Sequence, residues 1–95
     1  MARHPVTVTA SYAADHAPPD TAMRLDAWAA SGDGRTFVVD SSIAPVRWTA
    51  TADYIIDADD AQGAEQTAVE RFCNDTAAVG IAAPETVVAA TGPLR

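Results

Sequence analysis

Residues 47–80 read RWTATADYIIDADDAQGAEQTAVERFCNDTAAVG, and the hydrophobic pattern changes its period once within them. From Trp48 to Ile56 it repeats every second residue, with frequent β-branched and aromatic side chains, which predicts a strand with one buried face. After Asp60 the pattern becomes helical, and Gly80 closes it. The apolar helical face is predicted to consist of Ala61, Ala64, Ala68 and Phe72, with Val69 and Cys73 beside it.

The start of this helix falls in the acidic run from Asp57 to Asp60. An aspartate before a helix accepts hydrogen bonds from the N–H groups of the first turn. We predict Asp59 in this role, with Gln62 three residues on in a capping-box arrangement. An EF-hand loop beginning at Asp57 is excluded, because its sixth position would hold Gln62 and its twelfth Ala68 instead of Gly and Glu. No metal site is expected.

Three more strands and one more helix are predicted elsewhere in the chain. Residues 6–12 alternate as a strand, and a helix capped by Asp20 or Thr21 runs to Gly32. Residues 36–39 form a second strand, whose end the pattern does not fix before Ala44-Pro45 breaks it. Residues 85–91 form the last strand, which Gly92-Pro93 ends.

The order strand, helix, strand, strand, helix, strand resembles the ferredoxin-like split βαβ architecture. This resemblance implies an α+β fold with a four-stranded antiparallel sheet, both helices on one face, and the first and third strands in the middle. Residues 1–95 are predicted to form a single small domain. The inward residues of the middle strands are predicted to be Val6, Val8, Ala10 and Tyr12, facing Trp48, Ala50, Ala52 and Tyr54.

The composition indicates a thin core and an acidic surface. Apolar residues make up 48% of the chain, but many of them are alanine, so we expect pairing with another protein or with itself to supplement the core. The net charge is −7, which disfavours direct binding to nucleic acid or to anionic membranes. All six basic residues are arginine, which together with the alanine bias suggests a high-GC bacterium or phage as the source.

Targeting features are not evident in the sequence. No apolar run approaches the roughly 18 residues of a membrane span, and the N-terminus lacks the apolar region of a signal peptide. Cys73 is the single cysteine, which fits a reducing compartment. We expect a cytoplasmic protein with no membrane partner.

Catalytic patterns are also not evident. His4 and His16 are the two histidines, and we expect both to be exposed in loops without a partner. The chain has no GxSxG, GxGxxG or GxxxxGK[ST] motif. We predict no catalytic residue, no cofactor and no metal, and hence a non-enzymatic protein.

The outward face of the two middle strands is the candidate interaction face. Its composition is unlike that of RNA-binding domains of this architecture, which carry stacking aromatic residues there with basic residues around them. Small polar side chains suit an exposed strand surface and also suit a docking face for another protein. The predicted residues are Thr7, Thr9, Ser11, Thr49, Thr51 and Asp53.

Three functions follow from these observations. The leading hypothesis is a small acidic protein-interaction module, an accessory or inhibitory factor that binds another protein or itself. The first alternative is an acidic nucleic-acid mimic that inhibits a DNA-binding protein by complementary charge. The second is a small ferredoxin-like enzyme or ligand binder with a pocket between sheet and helices. That pocket would be lined by Tyr12, Trp28, Trp48, Tyr54, Arg24 and Arg47.

Overall fold

A computed structural model describes residues 2–42 and 46–92. Its elements follow the predicted order of strands and helices. They are β1 (Ala2–Ala13), α1 (Thr21–Ala30), β2 (Arg35–Asp40), β3 (Arg47–Ala58), α2 (Ala61–Ala78) and β4 (Thr86–Thr91).

The four strands form one antiparallel sheet in the order β2-β3-β1-β4. β1 and β3 are its long middle strands, paired from Ala2 opposite Ala58 to Ala13 opposite Arg47. Each is joined to an edge strand, β4 and β2 respectively. The chain therefore has the ferredoxin-like α+β fold that the sequence predicts.

The core lies between the sheet and the two helices. Alternation along β1 and β3 directs the predicted inward residues into it, and Ile56 joins them. Tyr54 is the exception among the eight, because it is half-buried. The helices contribute Leu25 and Trp28 from α1 and Ala64, Ala68 and Phe72 from α2. Ala61, predicted on the buried helical face, is exposed.

Trp28 joins the two helices in this alanine-rich core. Its ring meets that of Phe72 edge-to-face, with centroids 5.5 Å apart and planes at 81°. From the sheet side, the guanidinium carbon of Arg35 lies 4.9 Å from the Trp28 ring centroid, within the range of a cation–π contact. One large side chain thus fills the space that neighbouring alanines leave.

The N-cap of α2 differs from the prediction. Asp60, not Asp59, has the extended backbone of a cap, and its Oδ1 accepts the N–H of Gly63 at 2.7 Å. The helix begins at Ala61, one residue later than the Asp59 cap requires, because β3 continues to Ala58. At α1, Asp20 stands in the cap position but makes no capping hydrogen bond, since it accepts from the Arg24 Nε at 2.7 Å instead.

The C-terminal end of α2 is held by backbone and by α1. Gly80 has φ of 81°, a conformation that glycine adopts without strain, and the N–H of Ile81 donates back to the carbonyl of Thr76. The Nη1 of Arg24 donates to the Val79 carbonyl at 3.1 Å. Arg24 therefore ties the end of α2 to α1.

The structure fixes the end of β2, which the sequence pattern left open, and β4 ends at the predicted residue, Thr91. β2 extends to Asp40, whose Oδ1 accepts the hydroxyl and the N–H of Ser42 at 2.6 and 3.0 Å. These hydrogen bonds hold the pKa of Asp40 below its usual value. β4 begins at Thr86, one residue later than predicted. The predicted breaks at Ala44-Pro45 and at Pro93 lie outside the described residues.

Candidate functional site

The six residues of the predicted interaction face come together on the side of the sheet away from the helices. They form three cross-strand pairs in the centre of the sheet, because β1 and β3 are neighbours with matched alternation. The pairs are Thr7 with Asp53, Thr9 with Thr51, and Ser11 with Thr49.

The same face extends over both edge strands, which the prediction did not include. On β2, Thr36 lies opposite Thr51 and Val38 opposite Thr49. On β4, the residues opposite β1 on this face are Thr86, Val88 and Ala90. The residues of 36–39 and 85–91 do not alternate in polarity, so the face that each side chain occupies became clear only from the pairing register. We call the six central residues and these five the threonine face.

Charge is sparse in the middle of the threonine face, and an ion pair lies beyond one of its ends. Asp53 is the one charged residue among the eleven, and its Oδ1 accepts the Thr7 hydroxyl at 2.7 Å. Beyond one end of the face, Arg3 and Asp57 are 3.6 Å apart. Exposed ion pairs of this kind add little stability, but they neutralise their own charges.

Large apolar side chains are exposed on this side of the sheet. Val38 is 57% exposed, Val88 63%, and Ile55, which follows Asp53 in the alternation of β3, 59%. They lie on three strands, with the threonines between them. A surface that combines exposed β-branched residues, hydroxyl groups and little charge resembles the centre of a protein interface more than a charged, solvated surface.

The structure places the six residues of the predicted pocket in different surroundings. Tyr12, Trp28 and Trp48 belong to the buried core, where they pack against apolar neighbours. The hydroxyl of Tyr54 lies 3.3 Å from the Asp75 carboxylate on α2. Arg47 lies 3.8 Å from Glu85.

Two shallow depressions include some of these residues. Arg24 and Trp28 share one of about 320 Å³ with Ala27, Ser31 and Val79. Tyr12 lines the other depression, of about 170 Å³, together with His16 and Glu85. Trp48, Tyr54 and Arg47 line neither. The two depressions share no lining residue.

Among the residues that the structure describes, two buried polar atoms have no hydrogen-bond partner, the Tyr12 hydroxyl and the Trp28 Nε1. Burial, with a smaller contribution from nearby Cys73, raises the pKa of Tyr12 to about 12, so its phenol stays neutral at physiological pH. Both atoms are closed off from the solvent surface. Tyr12 and Trp28 fill space beside small alanine side chains in the core, and their polar atoms are buried as a result. The two atoms therefore do not indicate a ligand site.

The histidines lie apart, and one prediction about them is wrong. His4 lies within β1 rather than in a loop, half-buried, with Nε2 3.3 Å from the Ala58 carbonyl oxygen. His16 is exposed in the turn after β1, near Asp15. Within residues 2–42 and 46–92, no three His, Cys, Asp or Glu side chains are grouped to hold a metal ion.

No helix in the described part of the chain is both long and apolar enough to cross a bilayer. We compared the chain with models of protein families, with curated proteins and with solved structures, and none of the three comparisons gave a match. The threonine face is therefore the candidate site on the strength of its own composition and geometry.

Proposed function

We propose that this chain is a small, acidic, non-enzymatic protein-interaction module that binds another protein on the threonine face. The observation that carries the proposal is the uncovered side of the sheet, where threonines alternate with exposed Val38 and Val88 and with one charged residue, Asp53. Both helices pack on the other side, so nothing within the described residues covers this surface.

The size of the face suits a protein partner. Four strands span about 19 Å, the twelve-residue middle strands extend for about 40 Å and the six-residue edge strands for about 20 Å, so this side of the sheet measures about 580 Å². Standard protein interfaces bury about 800 Å² on each partner once side-chain relief is counted. A partner that offers hydrogen-bonding and small apolar side chains on a flat surface fits this face best.

The engagement of the carboxylates supports this proposal over a nucleic-acid mimic. Within residues 2–42 and 46–92, four of them form ion pairs with arginines. Others accept hydrogen bonds within the chain, as Asp53, Asp60 and Glu65 do. A mimic needs rows of carboxylates available to a basic groove. The hypothesis of a mimic makes a distinct prediction, since salt would release its partner steeply.

The test is a tagged capture experiment from the lysate of a high-GC host, since a cytoplasmic setting in such a host remains our expectation. Three proteins are compared: the natural chain, Thr51→Lys at the centre of the face, and Gln66→Lys on exposed α2. The natural chain and Gln66→Lys are expected to retain the same protein in stoichiometric amount. Thr51→Lys is expected to lose it, because a buried, unpaired ammonium group is costly at an interface.

Circular dichroism of the three proteins shows whether each variant retains the fold. Equal capture by Thr51→Lys and the natural chain would place the partner elsewhere on the molecule and contradict the proposal. Turnover of a small molecule by the purified chain would contradict its non-enzymatic part. Steep release by salt would favour the mimic.

A further inference from the structure

The strand order leaves β2 and β4 at the two edges of the sheet. An edge strand presents N–H and C=O groups that another strand can pair with, and proteins protect such edges with charges, prolines or covering elements. β4 reads TVVAAT, without charge or proline. We propose that β4 pairs antiparallel with β4 of a second copy of this chain, so that two sheets join into one of eight strands. This dimer goes beyond the proposed function and leaves the part of the threonine face on β1 and β3 free.

The hydrogen bonds at the end of β4 show which groups face outward. The N–H of Gly92 donates to the Pro5 carbonyl at 2.8 Å and so points toward β1. The N–H and C=O groups of successive residues point to opposite edges of a strand. The N–H of Thr91 accordingly points away from β1, and the Glu65 carboxylate accepts it. By the same alternation, Val87 and Ala89 direct their N–H and C=O groups to the free edge.

These groups permit a symmetric register with its two-fold axis at Val88, and we adopt it because it does not require the Thr91 N–H that Glu65 holds. A two-fold axis at Val88 places Val87 of each copy opposite Ala89 of the other, and the two pairs exchange four backbone hydrogen bonds. Glu65 already accepts the next outward N–H, that of Thr91. The backbone hydrogen bonds between the two copies are therefore limited to these two pairs. Val88, 63% exposed, would lie directly opposite its own copy on the threonine face.

The helix layer leaves room for this pairing. α2 contacts β1, β4 and β3 to similar extents, and β1 is the middle one of these three strands, so the helix axis lies near β1. With strands about 4.8 Å apart, the α2 helices of two copies would be about 14 Å apart. Packed helices approach to about 8–10 Å, so the two α2 helices do not clash.

The same geometry blocks the other edge. α1 contacts β2 and, less extensively, β3, so it lies close to the β2 edge. Pairing of β2 with a second copy would bring the two α1 helices within about 5 to 8 Å, at or below the closest packing distance. The structure therefore distinguishes β4 from β2, although both edges carry exposed valines.

The net negative charge of each chain makes the affinity of the dimer dependent on salt concentration. Each chain carries −7, but β4 is uncharged, and the two Glu65 side chains would lie about 20 Å apart, three residues to either side of the axis. This separation exceeds the Debye length of about 8 Å at physiological ionic strength. Added salt screens the remaining repulsion between two chains that each carry −7, so it is expected to strengthen the dimer. This effect is opposite to the effect of salt on a complex between this acidic chain and a basic partner.

The first measurement is the mass of the purified chain by light scattering at rising protein concentration. A dimer of the 9.9 kDa chain is expected, with a larger dimer fraction at higher salt. A monomer at the highest concentration would overturn the proposal and leave the β4 edge for an extended segment of another protein.

The second measurement tests the register. In a Cys73→Ser background, Val88→Cys is expected to form an intermolecular disulfide on oxidation with copper–phenanthroline, because facing Cα atoms of such a pair lie about 4.5 Å apart, within disulfide range. Val38→Cys is the matched control, on the same sheet face and 57% exposed but on β2. Equal cross-linking of the two variants would overturn the proposed register.

The third measurement removes the backbone pairing. Ala89→Pro deletes an outward N–H, a place where an edge strand tolerates proline, so the fold should persist while dimer affinity falls by about tenfold or more. Val88→Lys places two like charges opposite each other across the two-fold axis and should also weaken the dimer. Val38→Lys should not weaken it. Thr51→Lys should leave the dimer intact, which separates this proposal from the proposed function. An unchanged dimer in Ala89→Pro and Val88→Lys would refute β4 pairing.

Discussion

The Glu65 carboxylate holds the end of β4, because its Oε2 accepts both the N–H of Thr91 at 3.0 Å and the Thr91 hydroxyl at 2.9 Å. Glu65 is in the second turn of α2, and Thr91 is the last residue of the edge strand. The sequence pattern places Glu65 on the polar side of the helix, where a glutamate ordinarily faces water. In the fold it fastens an edge strand to the helix layer.

Glu65→Ala is expected to lower the free energy of unfolding by about 1–2 kcal/mol, because a half-buried N–H loses its charged acceptor. Glu65→Gln keeps a neutral acceptor and should cost less. Glu70→Ala, at an exposed position of the same helix, is the control. Urea unfolding followed by tryptophan fluorescence measures all three, and equal losses for Glu65→Ala and Glu70→Ala would contradict this role.

Asp60→Ala is expected to destabilise the protein by about 1 kcal/mol, since it removes the acceptor of the Gly63 N–H at the start of α2. Asp59→Ala is the matched control, one residue away with the same change in charge, and is expected to have an effect within about 0.5 kcal/mol. Thermal or urea unfolding of the two variants decides which aspartate caps the helix. A larger loss for Asp59→Ala would favour the cap predicted from the sequence.

Trp28→Ala is expected to cost about 3–5 kcal/mol, because the ring is 2% exposed and contacts both Phe72 and Arg35. Such a loss is a large part of the stability of a small domain, so Trp28→Phe, with a smaller cavity, provides a measurable intermediate. Met23→Ala on the exposed side of α1 is the control. A stable Trp28→Ala protein would mean that the ring lines a binding pocket rather than the core.

Stability is expected to fall at alkaline pH. Burial, followed by the nearby Asp75 carboxylate, raises the pKa of Tyr54 to about 12, and burial likewise raises the pKa of Tyr12 to about 12. In the unfolded chain both phenols titrate near 10, so between pH 10 and 12 the unfolded state binds fewer protons than the folded state. The stabilisation present below pH 10 is therefore lost as pH rises toward 12.

Melting temperatures across this pH range measure the effect. Tyr54→Phe removes one of the two groups and should make the decline shallower, although it also removes the contact with Asp75. A melting temperature that stays constant between pH 10 and 12 would contradict the linkage.

Local patterns were sufficient for the architecture and for the six central residues of the face. In β1 and β3, alternating residues lie on opposite sides of the sheet, so Val8 and Ala50 could be assigned inward and Thr9 and Thr51 outward without knowledge of the partner strands. The cap of α2 was missed by one residue. Asp57, Asp59 and Asp60 have similar local preferences, and the length of β3 decides among them.

What the sequence by itself determined is the set of faces, because side-chain direction along a strand or helix depends only on its period. What only the tertiary structure decided is which residues of different elements meet. Glu65 with Thr91, Tyr54 with Asp75 and Arg24 with Val79 are each separated by more than twenty residues, and their contacts depend on how far α2 lies over the sheet. The position of α2 over β1 and of α1 near β2 also leaves one sheet edge open and restricts the other.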